Sequence, residues 1–325
     1  QPPQAINNAI DRMMPMLRFF RHADGNFAQF NGMGPTPVDL LATVLAYDDA
    51  RGQPLSNAPH SGYQRMEAAQ TALVLDTGRP PPLGVSQEAH AGCLSFELSW
   101  RQHRLVVNCG LPAVNRETWR QVARATSAHS TVTVHEQSSC LFLEAAPFRR
   151  LLGGVPILAG PRDVRTERDE HDGAVMLRAS HDGYAADCGI VHTRALRLSA
   201  DGRALDGEDS FSAAGHGEIP GNDDYAVRFH LHPAIKASRL SDGRGVILLL
   251  PDKEVWTFAT MADAVQLEES VYLSSTEGPR RTVQIVVYGH ASTTSAVRWS
   301  FRHTPPATPG ARPEKLDESE LPVGK

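Results

Sequence analysis

The chain has 325 residues, of which 41% are hydrophobic and 21% charged, with a formal net charge of −5. That length and composition describe a globular protein able to bury a large core, as one big domain with appendages or as two smaller domains. The charge excludes a global attraction to nucleic acid, so a polyanionic ligand would need a local basic patch.

In chain order, residues 5–20 place Ile6, Ala9, Ile10, Met13, Met14, Met16 and Leu17 at a helical period that Pro15 interrupts. Asp24-Gly25 and Asn31-Gly32 flank the run 26–30 and suggest a hairpin-like connection. A second helical stretch, 38–49, follows the turn-rich segment 31–37. From Tyr63 onward, short segments rich in Val, Leu, Ile, Thr and Phe alternate with turn signals, the pattern of an antiparallel sandwich. Expected strands are 72–75, 94–100, 104–108, 130–135, 175–181, 190–199 and 225–231, then 246–250, 254–259, 265–273, 282–290 and 296–302. Asp201-Gly202 and Asp242-Gly243 are hairpin turns. The tail from Thr304, Pro- and Gly-rich and then charged, reads as a disordered linker. No run approaches the roughly 18 apolar residues of a membrane span, and the first residues carry no signal-peptide pattern.

Cys93, Cys109, Cys140 and Cys188 have no CxxC spacing, which favours buried thiols over a disulfide framework. Cys93 and Cys109 are the exception to watch, since they fall on neighbouring strands. His230 and His232 alternate along one strand and share a face, a spacing that suits a metal as well as two satisfied or solvent-facing histidines. His181 and His192 are expected to bridge strands. Ser180-His181-Asp182 is not a triad, because adjacent strand residues point to opposite faces. Arg194 and Arg228 either bind sugar carboxylates or sulfates or, the favoured alternative, pair across strands with acids such as Glu208 and Asp209.

Several segments carry more specific information. They are Ser61-Gly-Tyr-Gln-Arg-Met66, Glu88-Ala-His90-Ala-Gly-Cys-Leu-Ser-Phe-Glu-Leu98, Arg104-Leu-Val-Val-Asn-Cys-Gly110 and Ala123-Arg-Ala-Thr-Ser-Ala-His-Ser-Thr-Val-Thr133. Ser180-His-Asp-Gly-Tyr184, Val191-His-Thr-Arg194, Gly207-Glu-Asp209, Arg228-Phe-His-Leu-His-Pro233 and Leu267-Glu-Glu-Ser-Val-Tyr-Leu273 follow. In this order they resemble the C-terminal β domain of the heparinase II/III-like polysaccharide lyases, in their mostly proteobacterial branch, over roughly residues 60–303.

The resemblance implies a mainly β fold, an antiparallel β-sandwich of many strands preceded by one or two helices left from an α/α toroid. Residues 1–60 would be the helical remnant and linker, 61–303 the sandwich and 304–325 the tail. The family's catalytic tyrosine, with its toroid histidine and asparagine, would lie in a part this chain lacks. Its zinc site maps onto His90, Asn108 and His129. Zinc favours two imidazoles and a carboxylate, so Asn108 removes a full charge, and the family aspartate two residues after the ligand histidine is Gly92. The alternative is a hydrogen-bonded polar cluster of the same three residues.

The implied chemistry is β-elimination at a uronic acid, with His90 and Glu88 as catalytic candidates, supported by His129, and Arg124 as the substrate-binding candidate. It needs a placed base and a neutralised carboxylate. The expected function is therefore the C-terminal domain of a lyase for an acidic polysaccharide, inactive without its N-terminal toroid domain. The alternative is a non-catalytic carbohydrate-binding or structural module of a bacterial envelope polysaccharide system. Either implies the cell envelope or periplasm.

Overall fold

The computed structural model describes residues 3–47, 53–113, 117–143 and 154–305. Two helices come first, α1 (Gln4–Phe19) and α2 (Val38–Ala46). α1 continues through Pro15, forgoing the backbone bond to the Asp11 carbonyl. Part of the expected continuation of α2 to residue 49, and nearly all of the expected tail, lie outside the described residues. A third helix, α3 (Glu117–Arg124), was not expected. No described helix is long and apolar enough to cross a membrane.

One sheet runs β1 (Asn57–Ala58), β2 (Tyr63–Ala68), β3 (Thr71–Asp76), β4 (Phe96–Trp100), β5 (His103–Val107), β13 (Asp224–Leu231), β18 (Arg280–His290) and β17 (Gln266–Tyr272), with β6 (Val132–Val134) also paired to β13. The other runs β14 (Lys236–Arg239), β15 (Gly245–Leu249), β16 (Val255–Thr260), β19 (Ala296–Thr304), β12 (Ala204–Ala213), β11 (Ile190–Leu198), β10 (Ala174–Tyr184) and β9 (Val164–His171). β7 (Leu141–Phe142) and β8 (Ile157–Ala159) form a separate pair. Pairing is antiparallel throughout, as the period-2 patterning predicts.

The main core lies between the sheets. Phe96 of β4 stacks on Trp299 of β19, with ring centroids 5.7 Å apart and planes 8° from parallel, and Phe229, Trp256, Phe258 and Phe301 close around them. Each such side chain contributes about 1.5–3 kcal/mol by leaving water. A second cluster, with Phe19, Phe30, Tyr63 and Val74, seats the helical segment on β2 and β3. That contact brings the loop 20–33 to the end of the sheet where the candidate site lies.

Seven strands, β1, β2, β7, β8, β9, β12 and β14, fall outside the expected ones, and for three of them the reason is identifiable. β12 contains Asp206, Gly207, Glu208 and Asp209, poor strand formers in isolation. Gly207 is required there, because a Cβ would meet the Trp299 ring at 2.2 Å. β9 is a sheet edge made almost wholly of charged residues, which blunts edge-to-edge association. β14 is short and polar. The expected strand 94–100 begins only at Phe96, since Leu94 has φ of 59° in a turn closed by Ser95 N–H on the Gly92 carbonyl.

Candidate functional site

His90 and His129 meet at the mouth of the first sheet. His90 lies in the loop before β4, and His129 follows a 3-10 turn, Thr126–Ala128, ahead of β6. His129 Nδ1 donates to the Ala125 carbonyl at 2.8 Å, which leaves Nε2 as an acceptor. His90 Nδ1 therefore donates to His129 Nε2, at 3.1 Å. Both rings are buried and neutral. Burial pushes His129 down to about 4 despite the Ala125 bond, and burial, then the neighbouring His129 and Arg124, holds His90 well below the usual imidazole range.

Asn108 lies just past β5, and its carboxamide oxygen is committed elsewhere. Its Oδ1 accepts from Ser130 N–H at 2.8 Å, and its own backbone N–H donates to Glu97 Oε1 at 2.8 Å. Asn108 Nδ2 is buried with no hydrogen-bond partner among the described residues. The 3.1 Å between the two imidazole nitrogens is close to the edge of a zinc tetrahedron. The rest of the set does not fit: the third position offers a neutral oxygen already bonded to Ser130, and Gly92 has no side chain. Among the described residues no group of three His, Cys, Asp or Glu could hold a metal ion.

A second set of residues, which sequence reasoning missed, backs this pair. Asn31 Oδ1 accepts the His90 backbone N–H at 2.8 Å, and Asn31 Nδ2 donates to Tyr63 Oη at 2.5 Å. Tyr63 in turn bonds the carboxyl of Asp76, directly opposite it in the β2–β3 register. Burial raises Asp76 to about 7, against the lowering effect of the Gly78 N–H and Tyr63 bonds. Asn31 has φ of 43°, so the Asn31-Gly32 turn was the one visible signal. Asn31, Asp76, His90, Cys93 and Cys140 line a cavity of about 30 Å³. It shares walls at Asn31, Ser61 and Gly78 to Pro81 with an open groove of about 710 Å³, which Glu88 also lines.

Glu88 stands at the groove with its side chain 59% exposed, ion-paired to Arg120 of α3. Arg124 is placed differently from the substrate-binding expectation. It is buried, donates to the carbonyls of Ala89 (2.7 Å), Val155 (2.5 Å) and Ser86 (2.9 Å), and lies over the Phe142 ring. A guanidinium spent on three carbonyls holds the loop carrying Glu88 and His90 and presents nothing to a sugar.

The remaining polar residues have structural partners. Arg194 pairs with Asp209, directly opposite in register, at 2.8 and 3.0 Å, and its NH1 reaches the carbonyls of Leu94 (2.8 Å) and Ser130 (2.9 Å). His192 Nε2 donates to Asp209 at 2.8 Å, and its Nδ1 faces His181 Nε2 at 3.2 Å. Trp299 Nε1 also donates to Asp209. Arg228 pairs with Glu268 at 3.6 Å, not with Glu208. His230 is satisfied by Ser270 and the Ser127 carbonyl, and one ring nitrogen of His232 accepts from Arg104. All four cysteines are free and buried, with Cys93 and Cys109 in separate apolar clusters. Glu97, in mid-strand, bonds His22, Gln29 N–H and Asn108 N–H, and so ties the loop after α1 to this end of the sheet.

Comparison with known proteins places this geometry. The family model described as Heparinase II/III-like, C-terminal matches residues 50–300. The chain is 34% identical over 280 residues to FtsZ-localized protein C of Caulobacter vibrioides, covering 83% of this chain and 47% of that protein. Among solved structures, heparan sulfate lyase HepC of Pedobacter heparinus superposes with a TM-score of 0.70 at 14% identity, over 94% of this chain and 48% of that one. A heparinase III structure gives 0.68 at 13%, over 92% and 48%. At such identities the structures establish the fold alone. The chain spans about half the length of the relatives it matches.

Proposed function

The chain belongs to the heparinase II/III-like, C-terminal family, and we propose that in it the lyase scaffold binds an acidic, uronic-acid-containing glycan without cleaving it. The observation that carries this reading is the His90–His129 contact. Two neutral imidazoles satisfy each other, with the third ligand position an amide engaged by Ser130. A base for β-elimination works best with its pKa near the operating pH, and His90 is held far below it by burial. The name of the 34%-identical relative supports the same direction, since it describes that protein by localisation with FtsZ and not by a reaction. Assembly at a bacterial envelope is the setting this reading implies.

A second reading is favoured by one feature. Glu88 is an exposed carboxylate at the groove, where a base supplied with a toroid partner could act. One experiment separates the two. The full-length protein is run by affinity electrophoresis in gels cast with a polyuronate, and incubated with the same polymer while ultraviolet absorbance follows any unsaturated product. Retarded migration with no product is expected. Accumulating product would establish the lyase, and unretarded migration would remove glycan binding.

A further inference from the structure

The groove beside His90 contains one arginine that has no ion-pair partner of its own among the described residues. It is Arg79, exposed on the groove wall, and it makes no hydrogen bond or ion pair within 4 Å among the described residues. The acid whose field it reaches, Asp163, is already paired with Arg165 at 2.5 Å. The groove's own carboxylate, Glu88, is likewise committed, to Arg120.

We propose that Arg79 is the specificity-determining residue of this groove, taking the carboxylate of a uronic acid in a bidentate pair while the sugar lies along Asn31 and Ser61. The proposal rests on the glycan-binding reading and adds the residue that selects acidic sugars. Three arguments support it. A guanidinium presents a planar fork that matches a carboxylate, and its charge-assisted bonds are about twice as strong as neutral ones. The segment after it, Pro80-Pro81-Pro82, has fixed φ values and also lines the groove, so the wall carrying Arg79 is ordered before binding and little entropy is lost on docking. The volume of about 710 Å³ lies in the range of ligand sites and exceeds what a single carboxylate needs.

Glu88 sets the polarity of the site. Paired with Arg120 it still accepts hydroxyl donors, and it has no donor to offer a second carboxylate. An acidic sugar therefore sits with its carboxylate toward Arg79 and its hydroxyls toward Glu88. A ligand bearing carboxylates on every side, such as an acidic peptide, fits this arrangement less well.

The test is calorimetric titration of the full chain with a hexameric oligouronate and with the same oligosaccharide reduced to its neutral form. The proteins are wild type, Arg79→Gln, Arg79→Lys and, as a control on the far sheet, Arg197→Gln. The wild type should prefer the acidic form by at least about tenfold, the order of one charged hydrogen-bonded contact. Arg79→Gln should abolish that preference while affinity for the neutral form changes little. Arg79→Lys should keep part of it, and Arg197→Gln all of it. An unchanged preference in Arg79→Gln overturns the assignment of Arg79 and leaves the glycan-binding reading standing. Binding of neither oligosaccharide overturns both. Hexaglutamate competing as tightly as the oligouronate overturns the choice of a sugar ligand.

Discussion

Gly92 leaves the space in which the His129 imidazole lies: a Cβ at that position would stand 2.9 Å from His129 Cδ2 and 3.2 Å from Nε2. The histidine pair exists in this form because residue 92 has no side chain. Gly92→Ala should therefore push His129 off His90 and cost about 1–3 kcal/mol, the usual penalty for an extra methyl in a packed site. Chemical denaturation would measure the loss, and a midpoint equal to wild type would show that the ring has room to move.

Asn108→Asp restores a negative charge at the third position of the family's zinc set. The wild type should carry no stoichiometric zinc after purification and dialysis, and the variant should gain it, because a carboxylate beside two neutral imidazoles is a matched donor set. Elemental analysis reads the difference, with His129→Ala added to Asn108→Asp as the control that should lose the metal again. Stoichiometric zinc in the wild type would show that the amide suffices.

Asp76 gives a pH signature of definite sign. Its folded pKa, about 7, is raised from 3.8 by burial, so the folded state holds the proton where the unfolded state has released it. Its contribution to stability is therefore full below about 3.8 and is lost as pH rises through about 7. Asp76→Asn does not titrate, so its stability relative to wild type should rise between pH 5 and pH 8. His90 and His129 act in the opposite sense: their depressed pKa values cost stability as pH falls below 6.5, toward about 4 for His129. That acid limb should persist in Asp76→Asn. Urea midpoints at several pH values test both, and a difference that does not grow toward pH 8 would contradict a buried, protonated Asp76.

Asp209→Asn should be among the most destabilising substitutions in the protein. Burial alone would raise this carboxyl, yet Arg194 and His192 hold it well below the usual range. Removing its charge leaves the fully buried Arg194 uncompensated, at a cost of about 3–5 kcal/mol. Thermal unfolding would register it, and a loss below 1 kcal/mol would show that the Leu94 and Ser130 carbonyls are enough to hold the guanidinium.

The strands that could be read from the chain were those whose own residues make the case, such as 225–231 and 282–290 with their alternating Val, Ile and Phe. β12 was not among them, because its reason for being a strand lies on its neighbours: Trp299 covers Gly207, and Arg194 neutralises Asp209. The site divides in the same way. His90 and His129 sit in segments with recognisable order, so they could be named in advance. Tyr63 and Asp76 meet through the β2–β3 register, and Asn31 joins them only because Phe19 and Phe30 pack on those strands. The arginines show the limit of residue type as a guide. Arg124, expected on a sugar, is buried under three carbonyls, and Arg79, in no recognisable motif, is the arginine that lines the groove among the described residues.

The reach of Arg194 has a consequence for how such a site changes over time. Rooted in one sheet, its guanidinium ends on the carbonyls of Leu94 and Ser130 in the loops that lead into β4 and β6 of the other, four residues after His90 and one after His129. The two loops that carry the imidazoles are thus tied together by one buried guanidinium. That tie does not depend on an ion between the imidazoles, and a substitution at either histidine leaves it in place. A scaffold built this way can lose a ligand and keep its cleft, and a cleft so kept stays open to other uses.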